Sequence, residues 1–83
     1  MYEVLIEKNA QRQLEKIPEP DYSRVKKAIL DLADNPRPHG CKKLKGRDGY
    51  RIRQGDYRII YEIHDNVLTV LVLAAGHRKD IYD

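Results

Sequence analysis

The 83-residue chain has one cysteine, so it cannot form an internal disulfide, and small secreted domains usually carry several. No apolar run approaches the roughly eighteen residues needed to cross a bilayer. Glu3, Glu7 and Lys8 interrupt the basic-then-apolar order of a signal peptide. These absences imply a cytoplasmic protein with no membrane partner. Metal-ligating residues are scarce too. His39 and Cys41 lie close together, but no second pair completes a zinc site, and no carboxylate cluster could hold a divalent ion. No metal or other cofactor is expected. No repeat, linker or low-complexity stretch divides the chain, which has room for one domain over residues 1–83. A composition of 41% hydrophobic and 35% charged residues excludes a disordered tail.

The net charge of +3 is unevenly placed. Residues 1–36 carry six basic and seven acidic groups, and residues 59–83 carry Arg78 and Lys79 against four acids. Residues 37–58 hold eight basic groups (Arg37, Lys42, Lys43, Lys45, Arg47, Arg51, Arg53 and Arg58) against only Asp48 and Asp56. An excess of +6 in 22 residues points to an anionic partner, nucleic acid first. A solvated basic loop would look the same on charge alone.

Residues Tyr2–Glu7 read as a short strand. Asn9 is a plausible N-cap for a helix over Ala10–Ile17, with Leu14 and Ile17 on one face; Pro18 and Pro20 end it. Asp21 caps a second helix that aligns Val25, Ile29 and Leu32, closed by Asn35-Pro36-Arg37-Pro38. The two form an αα-hairpin suited to cover a sheet. After a basic loop the period changes to two. Tyr50–Gln54 and Tyr57–Ile63 read as strands joined by Gly55-Asp56, a two-residue hairpin loop with glycine first. His64-Asp65-Asn66 turns the chain into Val67–Ala74, apolar at both parities and so a central strand. Gly76 releases a polar tail, His77–Asp83. The fold class is α+β: a strand, an αα-hairpin and a three-strand antiparallel meander.

If Gly55-Asp56 is the whole loop, Gln54 pairs with Tyr57, Arg53 with Arg58, Ile52 with Ile59 and Tyr50 with Tyr61. Tyr50, Ile52, Ile59 and Tyr61 then face the helices, and Arg51, Arg53 and Arg58 face away. Like charges directly opposite one another destabilise a hairpin by up to about 1 kcal/mol. An anion between Arg53 and Arg58 would turn that repulsion into a clamp, since guanidinium groups bind phosphate through paired hydrogen bonds. The meander returns His77, Arg78 and Tyr82 to the same end, adding an imidazole, a fixed cation and a phenol able to stack on a base. Glu62 shares the parity of Arg58 and reads as its salt-bridge partner; His64 and Cys41 read as loop residues.

The runs Lys43-Leu44-Lys45-Gly46, Gly49-Tyr50-Arg51-Ile52-Arg53, Gly55-Asp56-Tyr57-Arg58-Ile59-Ile60-Tyr61 and Gly76-His77-Arg78-Lys79-Asp80-Ile81-Tyr82 resemble a RelE-type toxin of the RelE/ParE superfamily over nearly the whole chain. The resemblance implies a RelE-like microbial RNase-type fold. It implies the toxin of a type II toxin–antitoxin system, a ribosome-dependent mRNA endonuclease (mRNA interferase) that inhibits translation. It implies metal-free chemistry in which a ribose 2′-OH attacks the adjacent phosphate. Its partners would be a RelB-like or other cognate antitoxin, mRNA in the ribosomal A site, and operator DNA only through the antitoxin complex. By position, Arg51 and Arg53 match basic residues that position and activate the RNA, lysines in a well-studied member. Arg58 and Arg78 match arginines that stabilise the phosphorane and leaving group, and Tyr82 a tyrosine that stacks on a base. Lys43, Lys45 and Arg47 would add RNA contacts. Arginine holds its proton too tightly to act as a base; His77, where that member has another basic residue, is a better proton carrier. The chain stops one residue after Tyr82, without the C-terminal helix of longer members. Two other readings share the fold: a ParE-like toxin that inhibits DNA gyrase by binding, and an inactive member that binds only antitoxin and operator.

Overall fold

The computed structural model describes residues 1–81. Strand β1 (Glu3–Ile6) leads into helices α1 (Lys8–Glu15) and α2 (Asp21–Asp31), and strands β2 (Lys42–Lys43), β3 (Tyr50–Gln54), β4 (Tyr57–His64) and β5 (Thr69–His77) follow. The strands form one sheet in the order β1-β5-β4-β3-β2. The α+β class and the antiparallel β3-β4-β5 meander are as the sequence implies. Two additions extend the meander. β1 joins it parallel to β5, pairing Glu3 with Thr69 and Ile6 with Val72. Two residues of the basic loop form β2, pairing Lys42 with Arg51 and Lys43 with Tyr50.

The helix boundaries move by a few residues. Asn9 lies inside α1, which starts from the extended Glu7, and its side chain reaches the Leu73 carbonyl at 3.5 Å rather than capping. Asp21 is the first residue of α2, and Glu19 does the capping: its carboxylate accepts from the Ser23 amide at 2.9 Å and the Ser23 hydroxyl at 2.8 Å. The amide is one of the orphan backbone donors that a helix start leaves to a nearby side-chain oxygen. Strand β5 starts two residues late, because Val67 belongs to a 3-10 turn and Leu68 adopts a left-handed backbone (φ 48°). It also runs on to His77, so the polar tail begins at Arg78, not at His77.

Strand parity and helical spacing build the main core between sheet and helices. Ala10 and Leu14 of α1, and Val25, Ile29 and Leu32 of α2 and its end, meet Ile52, Ile59, Tyr61, Val70, Val72 and Ala75 of the sheet. Val25, Ile29 and Leu32 are at most 1% exposed; truncating such a side chain to alanine costs about 2–5 kcal/mol. A β-bulge opposite Ile60/Tyr61 inserts an extra residue in β5, and just beyond it the Ala75 amide donates to Gln13 Oε1 at 3.0 Å, tying α1 to the sheet. Among the described residues the outer face carries a small cluster, Leu44, Ile60 and Ile81, with Leu73 and Ala74 against it.

At the Tyr50 end of the hairpin the segment after α2 is pinned by polar contacts. Tyr61, fully buried, donates its hydroxyl to the Pro36 carbonyl at 2.8 Å, and burial pushes its pKa up, so the phenol stays a donor. Arg37 lies 5.4 Å from the centre of the Tyr50 ring and grips Asp65 with both nitrogens at 2.9 and 3.3 Å. Asp65 also accepts from the Tyr2 hydroxyl. Arg37, then Tyr2, hold the Asp65 carboxyl below its ordinary range.

Tyr61→Phe strands the buried Pro36 carbonyl and is expected to cost about 1–3 kcal/mol in urea unfolding. The depressed carboxyl of Asp65 stabilises the fold above its unfolded pKa and stops doing so as pH falls through its folded value. The stability difference between parent and Asp65→Asn, measured by urea titration, is therefore expected to be present at neutral pH and to fall away as the pH drops below the ordinary aspartate range.

Candidate active site

The β3–β4 hairpin sets the site. Gly55 takes φ +59° at the first loop position, as the two-residue turn requires. The register follows: Gln54 opposite Tyr57, Arg53 opposite Arg58, Ile52 opposite Ile59 and Tyr50 opposite Tyr61. On the other side Arg58 faces Gly76 and Tyr57 faces His77. Arg53, Arg58 and Gly76 thus form one row on the outer face, away from the helices.

The turn after β5 brings Arg78 to this row. Its amide donates to the Asp56 carbonyl at 2.8 Å, and its Nε lies 3.9 Å from Asp56 Oδ1. Both side chains of that ion pair are more than half exposed, so it orients Arg78 without contributing much stability. Arg58 Nη1 donates to the Ile81 carbonyl at 3.1 Å. Arg53, Arg58 and Arg78 line one cleft of about 110 Å³ with Gly55, Asp56 and Tyr57, several times the roughly 30 Å³ of one water. Among the described residues, three guanidinium groups and the Asp56 carboxylate line it, a donor set able to receive a small oxyanion.

The remaining candidates divide by place. Arg51 shares the outer face but is 6% exposed. It lies opposite Ile60 and Lys42, so it can act on a ligand from beneath far more than by touching it. His77 stands at the right end but on the other face. Its register partner is Tyr57, whose ring it meets edge-on at 5.7 Å, and it lines a groove with Gln13 and Lys16 of α1. Its Nδ1 accepts the Lys79 amide at 3.1 Å, so the neutral ring carries its proton on Nε2. Lys43, Lys45 and Arg47 are exposed but belong to the Tyr50 end, about 10 Å along the strands from Arg53; the fold does not gather them at the cleft. Tyr82 lies outside the described residues. Glu62 pairs with His64 at 3.0 Å rather than with Arg58. Sequence reasoning missed Asp56 as the dock for Arg78 and Ile81 as the carbonyl that holds Arg58. A lone aliphatic residue within a polar tail was the available signal for the second.

Relieving the Arg53–Arg58 repulsion by Arg53→Thr is expected to leave the anion-free protein as stable as the parent, or up to about 1 kcal/mol more stable. Inorganic phosphate at constant ionic strength should then stabilise the parent more than the variant, since it binds the folded parent selectively. Urea unfolding with and without phosphate measures both.

Residues 4–82 match the family model described as the ParE toxin of a type II toxin–antitoxin system, parDE. The chain is 35% identical to the toxin RelG of Mycobacterium tuberculosis over 98% of its own length and 95% of that protein's. It is 32% identical to the mRNA interferase toxin RelE of Escherichia coli K12 over 68% of this chain and 61% of that one. Its fold superimposes on the toxin–antitoxin complex RelBE2 of Mycobacterium tuberculosis with a TM-score of 0.83 and 31% identity, covering 93% of this chain and 98% of that one.

Proposed function

The chain belongs to the RelE/ParE superfamily as a RelE-type toxin of a type II toxin–antitoxin system, and on that premise we propose that it cuts mRNA in the decoding site of the ribosome. The observation that carries this reading is the arginine row. Arg53 faces Arg58 directly, and Arg78 docks beside them on Asp56. Three guanidinium groups gathered on one face suit a phosphodiester, whose oxygens accept their paired hydrogen bonds. A relative named an mRNA interferase supports the same reading.

In the proposed reaction the 2′-OH attacks the neighbouring phosphorus and loses its proton. A phosphorane forms, the bond to O5′ breaks, and O5′ takes up a proton. The products are a 2′,3′-cyclic phosphate and a 5′-OH. Arg58 and Arg78 stabilise the charge that develops on the phosphorane oxygens, where fixed donors act most strongly. Arg53 holds the phosphate, and Arg51 adds positive potential from below. None of these arginines moves the proton. Tyr82 is the group suited to that task and would also stack on a base, whereas His77, on the face opposite the cleft, is not placed to exchange a proton there. Lys43, Lys45 and Arg47 would contact RNA or ribosome farther along. The cell would hold the toxin in the cytoplasm with a RelB-like or other cognate antitoxin, and the pair would reach operator DNA as a complex.

The test is primer extension on message in a translating system, beside a gyrase supercoiling assay. Arg58→Ala and Arg78→Ala are each expected to slow single-turnover cleavage about 10²-fold or more, with ribosome binding little changed. If both cleave at the parent rate on saturated ribosomes, Arg58 and Arg78 are not the groups that carry the chemistry; if the folded parent cuts nothing there, the nuclease reading is lost. Inhibited supercoiling would then establish the gyrase-type reading, and silence in both assays the binding-only one.

A further inference from the structure

The last described residue is buried where a polar tail would be expected to leave the surface. After β5, the Asp80 and Ile81 amides both donate to the His77 carbonyl, at 2.8 and 3.1 Å. This tight turn reverses the chain and returns Ile81 to the outer face of the sheet. There it is 6% exposed and packs with Leu44 and Ile60. Its seat is Gly76: a Cβ on that glycine would stand 3.1 Å from Ile81 Cγ1 and 3.2 Å from Cδ1. A side chain at residue 76 would therefore crowd Ile81 and make it give by a few tenths of an ångström. Gly76 is also the register partner of Arg58. Seating Ile81 on Gly76 consequently sets the Ile81 carbonyl beside Arg58, where it accepts from Nη1 at 3.1 Å.

We propose that Ile81 is a positioning residue: seated on Gly76, it fixes the carbonyl that holds the Arg58 guanidinium and the turn that carries Arg78. The inference rests on the nuclease reading for its consequence, though not for its geometry. Arginine has many rotamers, and a guanidinium ordered before the substrate arrives need not be ordered during the reaction. The contact lies outside the main core, so its loss should disturb Arg58 more than it disturbs the fold.

The test compares Ile81→Ala, Ile81→Val and Gly76→Ala in the full chain. Ile81→Ala should slow single-turnover cleavage on saturated ribosomes about tenfold or more, with half-saturation within about twofold of the parent. Ile81→Val, which keeps the branched Cβ, should recover most of the rate. Gly76→Ala should slow it by lifting Ile81 off its seat. The readout that a merely structural role would not move is the Arg58 Nε–H resonance in 15N-labelled protein, assigned by its loss in Arg58→Lys. It should shift in Ile81→Ala and Gly76→Ala, at temperatures where circular dichroism shows both fully folded, and return towards the parent in Ile81→Val. An unshifted resonance in Ile81→Ala overturns the proposal. So does a parent-like rate, or a rate that falls only in proportion to the folded fraction. If Ile81→Ala does not fold, Gly76→Ala and Ile81→Val decide by the same two readouts. A parent that cleaves nothing refutes the nuclease reading alone, because the resonance still reports whether Ile81 holds Arg58.

Discussion

The register of the β3–β4 hairpin is the constraint on which the rest depends. Side chains alternate with a period of two, so a slip of one residue would carry Ile52, Ile59 and Tyr61 out of the core and the arginines into it. The slip is prevented twice over: by the glycine-first turn at Gly55, and by the burial of Ile59 and Tyr61 at 0% exposure beneath the helices. Once that register holds, Arg53 must face Arg58. A local rule against opposed like charges is then broken as a consequence of a global one being kept. Such conflicts mark functional positions more often than faults in the fold.

The two faces of the sheet divide the labour. One face is covered by both helices and supplies most of the apolar burial. The other, among the described residues, is covered around Leu44, Ile60 and Ile81, and it carries the arginine row. Stability and recognition are therefore loaded on opposite sides of the same strands, which lets the cationic face tolerate repulsion that the core offsets. The tail connects the two duties. Its amide contacts at Asp56 and its apolar contact at Gly76 use backbone and packing to aim two guanidinium groups.

Much of this was legible in the residues. The hairpin pairing, the inward faces of both helices and the arrival of the tail at the Arg58 end all follow from parity, spacing and one turn signal. Features without a local signal were not. Strand β2 is two residues long and lies among lysines, so no alternation announces it. The parallel pairing of β1 with β5 joins segments more than sixty residues apart, and nothing in a four-residue strand names its neighbour. Arg51 and Arg53 look equivalent in sequence, yet Arg51 is buried because Ile60 and Lys42 flank it while Arg53 lies beyond the end of β2. His77 joined the right end of the sheet but the opposite face, since its side depends on the bulge at Ile60/Tyr61, which adds a residue to β5 and reverses its parity beyond that point.

The central claim is that an RNA phosphodiester is the anion this arginine face receives and that its own 2′-OH does the cutting. A ribosome programmed with message bearing a single 2′-deoxynucleotide on the 5′ side of the scissile phosphate tests both parts at once. The all-ribose message should be cut in the decoding site to a 2′,3′-cyclic phosphate and a 5′-OH, and the deoxy-substituted message should survive at that position. Equal cutting of the two messages, or no cutting of either by folded toxin on saturated ribosomes, would contradict the account.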